Sequence, residues 1–531
     1  MREKSLKILS AFLCAVFMLG GCRETSQSTQ TIANGSFGGI AFDTQSRTAS
    51  SAVPIPDITT TIPDDFIENP EQSTTVSSES TTSYEENTES IVTSEQESTK
   101  PTAVTSTTYI ETTTAIVPVS QVTETSSQTT PETTTSVSTT ERISETTAQA
   151  ENISASYSFN SYKALNYSEM KGVWISYLEI ATLLKNKSES DFRSALKSIY
   201  TNCTQLGLNT VYVHARAFGD AFYYSDLFPF SKHISGQYGL KTSYDPLEIM
   251  VDEAHKQGLS IHAWINPLRL CTASELSSLS GDFPIKSWYN SSSKNGTYIV
   301  NVNGTFYLNP AYEEAVKLVG DGAREIVSRY DIDGIHIDDY FYPTTDTYFD
   351  SKAFAESDSS SLSAFRISNC NKLVKEIYNA VHECSGTAVF GISTQGSMSN
   401  NLNQLYADAQ AWCSGGYVDY FAPQIYYGFE NSAQPFKTCT DQWNELVDGT
   451  DVKLAIGLAV YKVGAEDKWA GAGVYEWVNT DSMLKRQIEY AQSCKNYGGF
   501  ALYSYNYLFT NGYLTSSIKR EIENFKPLIA E

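Results

Sequence analysis

The stretch Asp331-Ile-Asp-Gly-Ile-His-Ile-Asp-Asp-Tyr-Phe-Tyr342 is a short apolar strand pattern that ends in carboxylates and aromatic rings. Its isoleucines favour an extended, packed backbone. Because side chains alternate across a strand, His336, Asp338 and Tyr340 are expected on one face. Asp339 is then expected on the other face. Two carboxylates at the end of a buried strand are costly unless they are paired, bound to metal or used in chemistry. The stretch therefore predicts a functional site at a strand end; the alternative is that both aspartates only cap the next turn.

On both sides of this stretch, apolar strands alternate with amphipathic helices. Strands are predicted at 172–177, 208–216, 259–267, 331–342, 388–395, 418–427, 452–461 and 498–507, and helices at 190–206, 244–257, 311–330, 362–383, 401–412, 436–447, 481–495 and 516–525. Eight such units are typical of a (β/α)8 TIM barrel in the α/β class. A doubly wound open sheet is the alternative, but no glycine-rich phosphate loop follows the first strand. The polar stretch of about forty residues after the third strand is a candidate lid or binding loop.

The first 22 residues have the pattern of a bacterial export signal. A basic start precedes an apolar core over residues 8–19, which is too short for an ordinary membrane-spanning helix. The core ends in Leu19-Gly-Gly-Cys22, which resembles a lipoprotein lipobox and implies cleavage before Cys22 and diacylation of its sulfur. The sequence therefore predicts a protein that is lipid-anchored to the cell membrane through Cys22 and faces the extracytoplasmic side. The alternative is an ordinary cleaved signal peptide.

Residues 23–160 are rich in Ser, Thr and Glu and poor in large apolar side chains. Such a segment cannot bury enough surface to offset its chain entropy, so it is predicted to be a disordered linker. It carries 19 acidic and 4 basic residues, about −15 of the formal net charge of −24. The acidity therefore belongs mainly to the linker, and the lack of a basic patch argues against a nucleic-acid partner. The folded domain is predicted over residues 165–528.

Cysteine and histidine spacing predicts neither a disulfide framework nor a metal centre. Seven cysteines follow the signal segment without CxxC spacing, and they are interpreted as small buried side chains. His214, His262 and His336 fall on consecutive predicted strands and could converge, but they precede the strand ends. No cofactor and no metal are predicted.

The barrel interpretation places functional side chains just after each strand. The residues found there are carboxylates, Arg, Asn, Gln and many aromatic side chains, a mixture that suits sugars with flat apolar faces and hydroxyl groups. Asp338 is predicted to be the main catalytic carboxylate, with Asp339 or Asp220 as its partner, because glycoside hydrolysis needs two carboxyl groups. The predicted substrate-binding residues are Arg216, His262, Trp264, Asn266, Arg269, His336, Tyr340, Gln424, Tyr426 and Tyr505.

Three of these residues also have structural interpretations that the sequence leaves open. Arg216 could pair with Asp338 inside the barrel, Asp220 could only cap its own loop, and Trp264 could be core packing. A Ser–His–Asp triad has no nucleophile-elbow sequence to support it.

Several motifs in chain order resemble the glycosyl-hydrolase-like 10 family, also called DUF187. They are Gly172-Val-Trp174, Arg216-Ala-Phe-Gly-Asp220-Ala, Tyr244-Asp-Pro-Leu247, Glu253-Ala-His-Lys-Gln-Gly258, His262-Ala-Trp-Ile-Asn-Pro267, Leu308-Asn-Pro310 and Asp333-Gly-Ile-His-Ile-Asp-Asp-Tyr-Phe-Tyr-Pro343. The resemblance covers roughly residues 171–526. It implies a (β/α)8 glycosidase-like domain, commonly on exported bacterial lipoproteins, with peptidoglycan glycan strands as one candidate substrate class.

Two wider resemblances concern the same strand. Asp333-Gly-Ile-His-Ile-Asp338 is similar to the strand-four motif of α-amylase-type barrels, in which the last Asp is the nucleophile. Those enzymes take their acid from a Glu after strand five, which this chain lacks. The stretch also resembles the chitinase signature, but Tyr340 stands where the catalytic Glu would be.

The sequence thus predicts a membrane-anchored glycoside hydrolase that acts on a polysaccharide. A non-catalytic carbohydrate-binding lipoprotein is one alternative, motivated by the missing carboxylate on strand five. A metal-dependent polysaccharide deacetylase is another, suggested by Ile337-Asp338-Asp339, although the closely spaced His pair of such enzymes is not found.

Overall fold

The computed structural model describes residues 157–530. The predicted signal peptide 1–22, the predicted lipidation site Cys22 and the predicted linker 23–160, except for its last four residues, lie outside the described residues. Within 157–530, none of the helices is long and apolar enough to cross a membrane. The seven cysteines in this part of the chain are free thiols.

Eight parallel strands close into a barrel, as the alternation of strands and helices predicts. The strands of the described chain are β1 (Met170–Ile175), β2 (Thr210–Arg216), β3 (Ser260–Ile265), β4 (Arg269–Thr272), β5 (Ile299–Val302), β6 (Thr305–Leu308), β7 (Gly334–Ile337), β8 (Val389–Ile392), β9 (Tyr420–Phe421), β10 (Lys453–Ala459) and β11 (Tyr497–Tyr503). The barrel order is β1-β11-β10-β9-β8-β7-β3-β2. The fold is therefore a (β/α)8 TIM barrel, and the stretch that opens the sequence analysis supplies its fourth strand, β7.

Helices cover the outside of the barrel. The eight that follow barrel strands are Glu189–Leu206, Pro246–Lys256, Glu313–Arg329, Leu362–Cys384, Ala409–Gly415, Phe436–Leu446, Met483–Gln492 and Ser516–Ile529. Shorter helices lie in the connections, at Tyr177–Leu183, Lys232–Ser235, Ala273–Ser278, Pro284–Asn290, Ser351–Ala355, Met398–Gln404 and Tyr505–Phe509. Some of these helices begin with a side-chain cap: the Asp245 carboxylate, for example, accepts from the Leu247 N–H at 3.1 Å at the start of Pro246–Lys256.

The predicted helix 401–412 is wrong, because the chain forms two short helices there. The first helix ends at Gln404, and Tyr406 takes a left-handed backbone with φ of 57°. Asp408 then caps the second helix by accepting the Ala411 N–H at 2.9 Å. The predicted strand 418–427 also contracts to the two residues of β9. Helical spacing of apolar side chains continued across this break, so the sequence pattern alone did not reveal it.

A directional hydrogen-bond chain crosses the barrel interior. Indole nitrogen can only donate, so the Trp174 Nε1–H donates to His336 Nε2 at 3.1 Å. His336 then carries its proton on Nδ1 and donates to the Tyr420 hydroxyl at 2.9 Å. That hydroxyl donates to His262 Nδ1 at 2.7 Å, and His262 Nε2–H donates to the Ser260 hydroxyl at 3.2 Å. The contacts fix one tautomer for each imidazole.

Burial keeps both imidazoles of this chain neutral. It lowers the pKa of His262 to about 4 and holds the pKa of His336 well below its usual value. Gly391 leaves room for the Tyr420 ring, since a Cβ there would lie 1.8 Å from the ring carbon Cζ. The prediction that His262 and His336 orient sugar hydroxyls is therefore corrected: the barrel interior uses both of their ring nitrogens.

The polar stretch after β3 is a small folded insertion. β4 and β5 both pair antiparallel with β6 to make a three-stranded sheet. Two short helices, Ala273–Ser278 and Pro284–Asn290, connect its first two strands. The insertion follows β3 and therefore lies at the carboxyl end of the barrel strands, where it places Arg269 near the end of β7.

Residues 157–169 run across the opposite, amino-terminal end of the barrel. Asp333, which immediately precedes β7, fastens this segment: its Oδ1 accepts the Tyr162 hydroxyl at 3.1 Å and the Leu165 N–H at 2.5 Å. The Asn166 amide donates to the carbonyl oxygens of Asp333 and Thr387, both at 3.2 Å. The chain therefore enters the barrel at the end remote from Asp338.

Candidate active site

Two adjacent carboxyl groups lie at the carboxyl end of β7. The strand ends at Ile337, so the alternation of a regular strand no longer governs the next residues. Asp338 turns toward the end of β3, and Asp339 turns toward the ends of β8 and β9. Asp338 is 4% exposed and Asp339 is 9% exposed. Both aspartates therefore belong to the barrel mouth, although they face different neighbours.

Asp338 accepts three hydrogen bonds. Its Oδ2 accepts the Asn266 amide at 2.6 Å and the Trp264 indole N–H at 3.1 Å. Its Oδ1 accepts the Tyr340 backbone N–H at 3.2 Å. All three donors favour the charged carboxylate over the protonated acid. The end of β3 thus supplies both side-chain donors, and the tight turn after β7 supplies the third.

His214 fixes the orientation of Asn266. The Tyr177 backbone N–H donates to His214 Nδ1 at 3.0 Å, so the imidazole proton sits on Nε2. That Nε2–H donates to Asn266 Oδ1 at 2.9 Å, which leaves the Asn266 NH2 directed at Asp338. Burial holds the pKa of His214 well below its usual value, so the ring is neutral. A single directed chain of contacts therefore ends on the Asp338 carboxylate.

Asp339 is held by two glutamines from the next strands. Its Oδ1 accepts the Gln424 amide at 3.1 Å, and its Oδ2 accepts the Gln395 amide at 3.4 Å. Gln424 also donates to the Ser393 carbonyl oxygen at 3.1 Å, which fixes its amide orientation. Asp339 thus has fewer and longer contacts than Asp338, so its charged form is less stabilised.

The two carboxyl groups titrate as a pair. Burial raises the pKa of Asp338 and of Asp339, and the adjacent Asp339 raises the pKa of Asp338 further. The pair therefore keeps one proton at a pH where an isolated carboxyl group would be ionised. The stronger set of donors favours the charge on Asp338, whereas the charge of Asp339 favours a proton there, so the shared proton belongs to the pair as a whole. One carboxylate and one carboxylic acid side by side can act as base or nucleophile and as acid.

Aromatic rings border the pair on two sides. On the β3 side, the Arg269 guanidinium lies over the rings of Phe218 and Tyr340, at 4.2 and 4.8 Å from their centroids. On the other side, the ring centroid of Tyr426 lies 6.0 Å from those of Tyr461 and Tyr503. Of the predicted binding residues, Asn266, Arg269, Tyr340, Gln424 and Tyr426 therefore gather around Asp338 and Asp339.

Trp264 has a different role from the sugar platform that the sequence predicts. It is 5% exposed, and the His214 ring covers it with centroids 3.5 Å apart and planes 20° apart. Its N–H donates to Asp338. The indole is packed in the barrel and orients the carboxylate, so its faces are not a surface for a sugar ring.

Arg216 lies outside the barrel interior. The register between β2 and β3 shifts between His214 and Arg216, so these residues do not share a face. The Arg216 guanidinium lies over the Phe228 ring at 4.2 Å, and a Cβ at Gly322 would lie 2.2 Å from its Nη1. Arg216 therefore packs between the barrel and the helix Glu313–Arg329. The predictions that it binds sugar or pairs with Asp338 are both corrected.

Asp220 and Tyr505 are also directed away from the pair. Asp220 Oδ1 accepts the backbone N–H groups of Ala217 and Phe218 at 3.1 and 2.9 Å, which caps its own loop. Tyr505 begins a short helix after β11, and its hydroxyl accepts the Asn202 amide at 2.9 Å in the outer helix layer. Neither contact brings the side chain to Asp338, so the roles predicted for Asp220 and Tyr505 are corrected.

Three further residues at the mouth were missed as site residues. His214 is considered from sequence only as a possible metal ligand, and Gln395 is not among the predicted site residues. Tyr461 lies in the turn after β10 and was counted as the end of a strand. A sequence signal existed for the first two, because both are polar residues at strand ends.

Among residues 157–530, no group of three or more His, Cys, Asp or Glu side chains is arranged to hold a metal ion. His214, His262 and His336 do not converge, since the first contacts Asn266 and the other two contact Tyr420. The alternative of a metal-dependent deacetylase therefore has no set of metal-binding side chains to support it among residues 157–530.

Known proteins resemble this chain over the same region. The model of the glycosyl hydrolase-like 10 family matches residues 169–471. The chain is 31% identical over 345 residues to the glycosyl hydrolase YngK of Bacillus subtilis, which covers 60% of this chain and 66% of that protein. The matched part of the chain thus spans just under two thirds of the length of YngK. This chain is also 30% identical over 338 residues to the glycosyl hydrolase DigH of Escherichia coli, a match that covers 57% of this chain and 73% of DigH.

Among solved structures, the PgaB (BpsB) glycoside hydrolase domain from Bordetella bronchiseptica superposes with a TM-score of 0.43 at 12% identity, over 67% of this chain and 99% of that chain. So low a score carries no argument about function. The family match, in contrast, spans more than half of the chain and includes both β3 and β7. The chain belongs to the glycosyl hydrolase-like 10 family.

Proposed function

We propose that this protein hydrolyses O-glycosidic bonds in a polysaccharide, with Asp338 as the charged carboxylate and Asp339 as the acid. The observation that supports this most directly is the buried carboxyl pair at the barrel mouth, in which Asp338 alone accepts three donors. The acid protonates the leaving oxygen while the carboxylate stabilises or attacks the anomeric carbon, and water completes the hydrolysis. Proton transfer of this kind needs an acid whose pKa is raised toward neutrality, and burial raises the pKa of Asp339.

The substrate that we propose is the glycan strand of peptidoglycan. The resemblance to the glycosyl-hydrolase-like 10 family implies peptidoglycan glycan strands as one candidate substrate class. The relatives YngK and DigH are named glycosyl hydrolases, and their names state no substrate. The export signal pattern over residues 1–22 supports a site of action outside the cytoplasm. We further propose a lipid anchor at Cys22. The described chain enters the barrel through residues 157–169, at the end opposite the carboxyl pair.

Release of reducing ends tests this proposal. The purified full-length chain is incubated with peptidoglycan glycan strands, with and without stem peptides, beside Asp338→Asn and Asp220→Asn variants. We expect release by the wild type and by Asp220→Asn, because Asp220 only caps its loop, and a loss of release in Asp338→Asn. Release that survives in Asp338→Asn but disappears in Asp220→Asn would overturn the assignment of the carboxyl pair.

One observation favours a second function, carbohydrate binding without hydrolysis. The strand β8 is followed by Ser393, Thr394 and Gln395, so the position that carries the acid in α-amylase-type barrels holds no carboxylate. In that case wild type and Asp338→Asn would bind glycan strands equally, and neither would release reducing ends. Retained binding with no release from any glycan would therefore replace the hydrolase proposal with the binding proposal.

A further inference from the structure

A row of tyrosine rings leads from the carboxyl pair to the rim of the barrel. Tyr426 lies beside the pair, two residues after Gln424, whose amide donates to Asp339 at 3.1 Å. Its ring centroid is 6.0 Å from that of Tyr461. Tyr461 is in turn 6.0 Å from Tyr507, and Tyr507 is 5.4 Å from Tyr513. We call these four residues, Tyr426, Tyr461, Tyr507 and Tyr513, the tyrosine row.

The tyrosine row changes from buried to half-buried beyond Tyr426. Tyr426 is buried, whereas Tyr461, Tyr507 and Tyr513 are half-buried. Two more aromatic side chains, Trp469 and Tyr475, lie on the loop that begins at Tyr461 and are 72% and 53% exposed. Several aromatic side chains on one loop beside a row of rings fit a ligand-binding surface better than single scattered side chains do.

The loop that carries Tyr461 is held rigidly, although its aromatic side chains project outward. The Lys462 ammonium pairs with the Asp467 carboxylate at 2.7 Å. The Asp467 N–H donates to the Val474 carbonyl oxygen at 2.9 Å, and the Ser432 N–H donates to the Ala470 carbonyl oxygen at 2.9 Å. A surface that is already ordered loses little entropy when it binds a ligand, so the loop is preorganised.

The charge of this surface restricts the occupant. Residues 505–515, which carry Tyr507 and Tyr513, contain no charged side chain. On the loop with Tyr461, the Lys462 charge is already paired with Asp467. The same loop also carries the exposed Glu466 and Lys468, whose charges are opposite. The surface therefore offers aromatic faces and phenol hydroxyl groups without an excess of positive charge. Such a surface fits neutral or N-acetylated sugar rings better than phosphate, nucleic acid or acidic peptide.

We propose that the tyrosine row forms additional subsites for a neutral or N-acetylated glycan chain, next to the bond that the carboxyl pair cleaves. This inference rests on the proposed function, because the tyrosine row can form subsites next to the cleaved bond only if Asp338 and Asp339 cleave a glycan. Sugar rings beyond the cleaved bond stack on Tyr461, Tyr507 and Tyr513. The protein therefore prefers long chains to short oligosaccharides, and the preference comes from binding and not from chemistry.

Binding measured as a function of chain length tests this proposal. Full-length protein carrying Asp338→Asn is titrated with N-acetylated oligosaccharides of increasing length by calorimetry. We expect affinity to rise with length and Tyr507→Ala to lower the affinity for the longest chains about 3- to 10-fold, the effect of one aromatic contact. Tyr507→Phe keeps the ring and is expected to keep the length dependence. Tyr378→Ala, at the amino-terminal end of the barrel, is the control for an aromatic side chain elsewhere.

The outcomes separate this inference from the proposed function. If Tyr507→Ala and Tyr513→Ala bind long and short chains as the parent does, the tyrosine row is not a glycan surface and the inference is overturned. If the length dependence is lost in both alanine variants, the inference holds whether or not the wild type releases reducing ends. In hydrolysis, the same alanine variants are expected to raise KM about 3- to 10-fold for long chains. Their kcat should stay unchanged.

Discussion

The imidazole of His214 lies flat against the indole of Trp264, with ring centroids 3.5 Å apart and planes 20° apart. The two rings act on the same carboxylate by different routes. Trp264 donates to Asp338 directly at 3.1 Å, whereas His214 acts through Asn266, which donates to Asp338 at 2.6 Å. Side chains from β2 and β3 therefore converge on a group at the end of β7, and the packing of the two rings fixes the distances.

His214→Phe separates the hydrogen bond from the stacking. Phenylalanine keeps a flat ring against Trp264 but removes the donor that orients Asn266. We expect kcat to fall on the order of 10- to 100-fold with KM nearly unchanged, because a misoriented catalytic group slows the chemical step more than it weakens binding. Steady-state kinetics on glycan strands measures this split. His214→Gln, which can still donate to Asn266, should recover part of kcat. Equal kcat in His214→Phe and wild type would contradict the role of His214.

Asn266→Ala should change the pH dependence of the reaction. Asn266 donates to Asp338 and so favours its charged form; without this donor the pKa of Asp338 rises further. The acid limb of kcat/KM, which reports loss of a proton from Asp338, should therefore move to higher pH by about 0.5 to 1 unit. Trp264→Phe removes the longer contact of 3.1 Å and should move the limb in the same direction by less. An acid limb that stays in place in both variants would show that these donors do not set the pKa.

The sequence predicts the barrel correctly because the signals for its strands and helices are local in the sequence. Eight repeats of strand and helix are visible as changes in apolar spacing, and the carboxylates after Ile337 mark the mouth by their chemistry. The direction of a side chain in a barrel depends on strand register, which is not local. The shift between His214 and Arg216 turns Arg216 to the outside, although a regular strand would put both residues on one face.

Depth inside the barrel was the second property that the sequence could not provide. His262 and His336 are polar residues on inward-facing positions, but they lie below the mouth and bind Tyr420. Tyr505 follows the end of β11 at Tyr503, and the short helix that starts there turns it toward Asn202. Both errors come from treating a strand end as a single point, whereas the site occupies only the last layer of side chains.

Asp339→Asn should stabilise the protein most at alkaline pH. The pKa of Asp339 is raised in the folded protein, so its protonated form favours folding. That contribution is fully present below the unfolded pKa of about 3.9 and is lost as pH rises toward the folded pKa. Asparagine removes the ionisation and also the repulsion with Asp338, while its oxygen can still accept from Gln424. We expect the free energy of unfolding at pH 8 to rise by on the order of 1 kcal/mol relative to wild type.

Urea unfolding between pH 4 and pH 8 measures this difference. The two proteins should have nearly the same stability at pH 4 and should diverge as pH rises. Asp441→Asn, on an exposed helix surface, is a control that changes the same functional group without burial. A gain in stability for Asp339→Asn that is equal at all pH values would mean that the carboxyl group does not ionise in this range.

Tyr420→Phe should destabilise the barrel, because one hydroxyl satisfies two buried imidazoles. It accepts from His336 at 2.9 Å and donates to His262 at 2.7 Å, so its removal leaves both Nδ1 atoms without a partner. Each unsatisfied buried group costs about 1–3 kcal/mol, so the two together give an expected loss of about 2–6 kcal/mol in the free energy of unfolding. Tyr200→Phe is the matched control: the Tyr200 hydroxyl is also buried but has no hydrogen-bond partner, so its removal should cost nothing. Equal urea midpoints for the two variants would mean that the hydrogen-bond chain from Trp174 to Ser260 does not stabilise the barrel. A large loss of stability in Tyr420→Phe alone would show that this hydrogen-bond chain stabilises the barrel interior below Asp338 and Asp339.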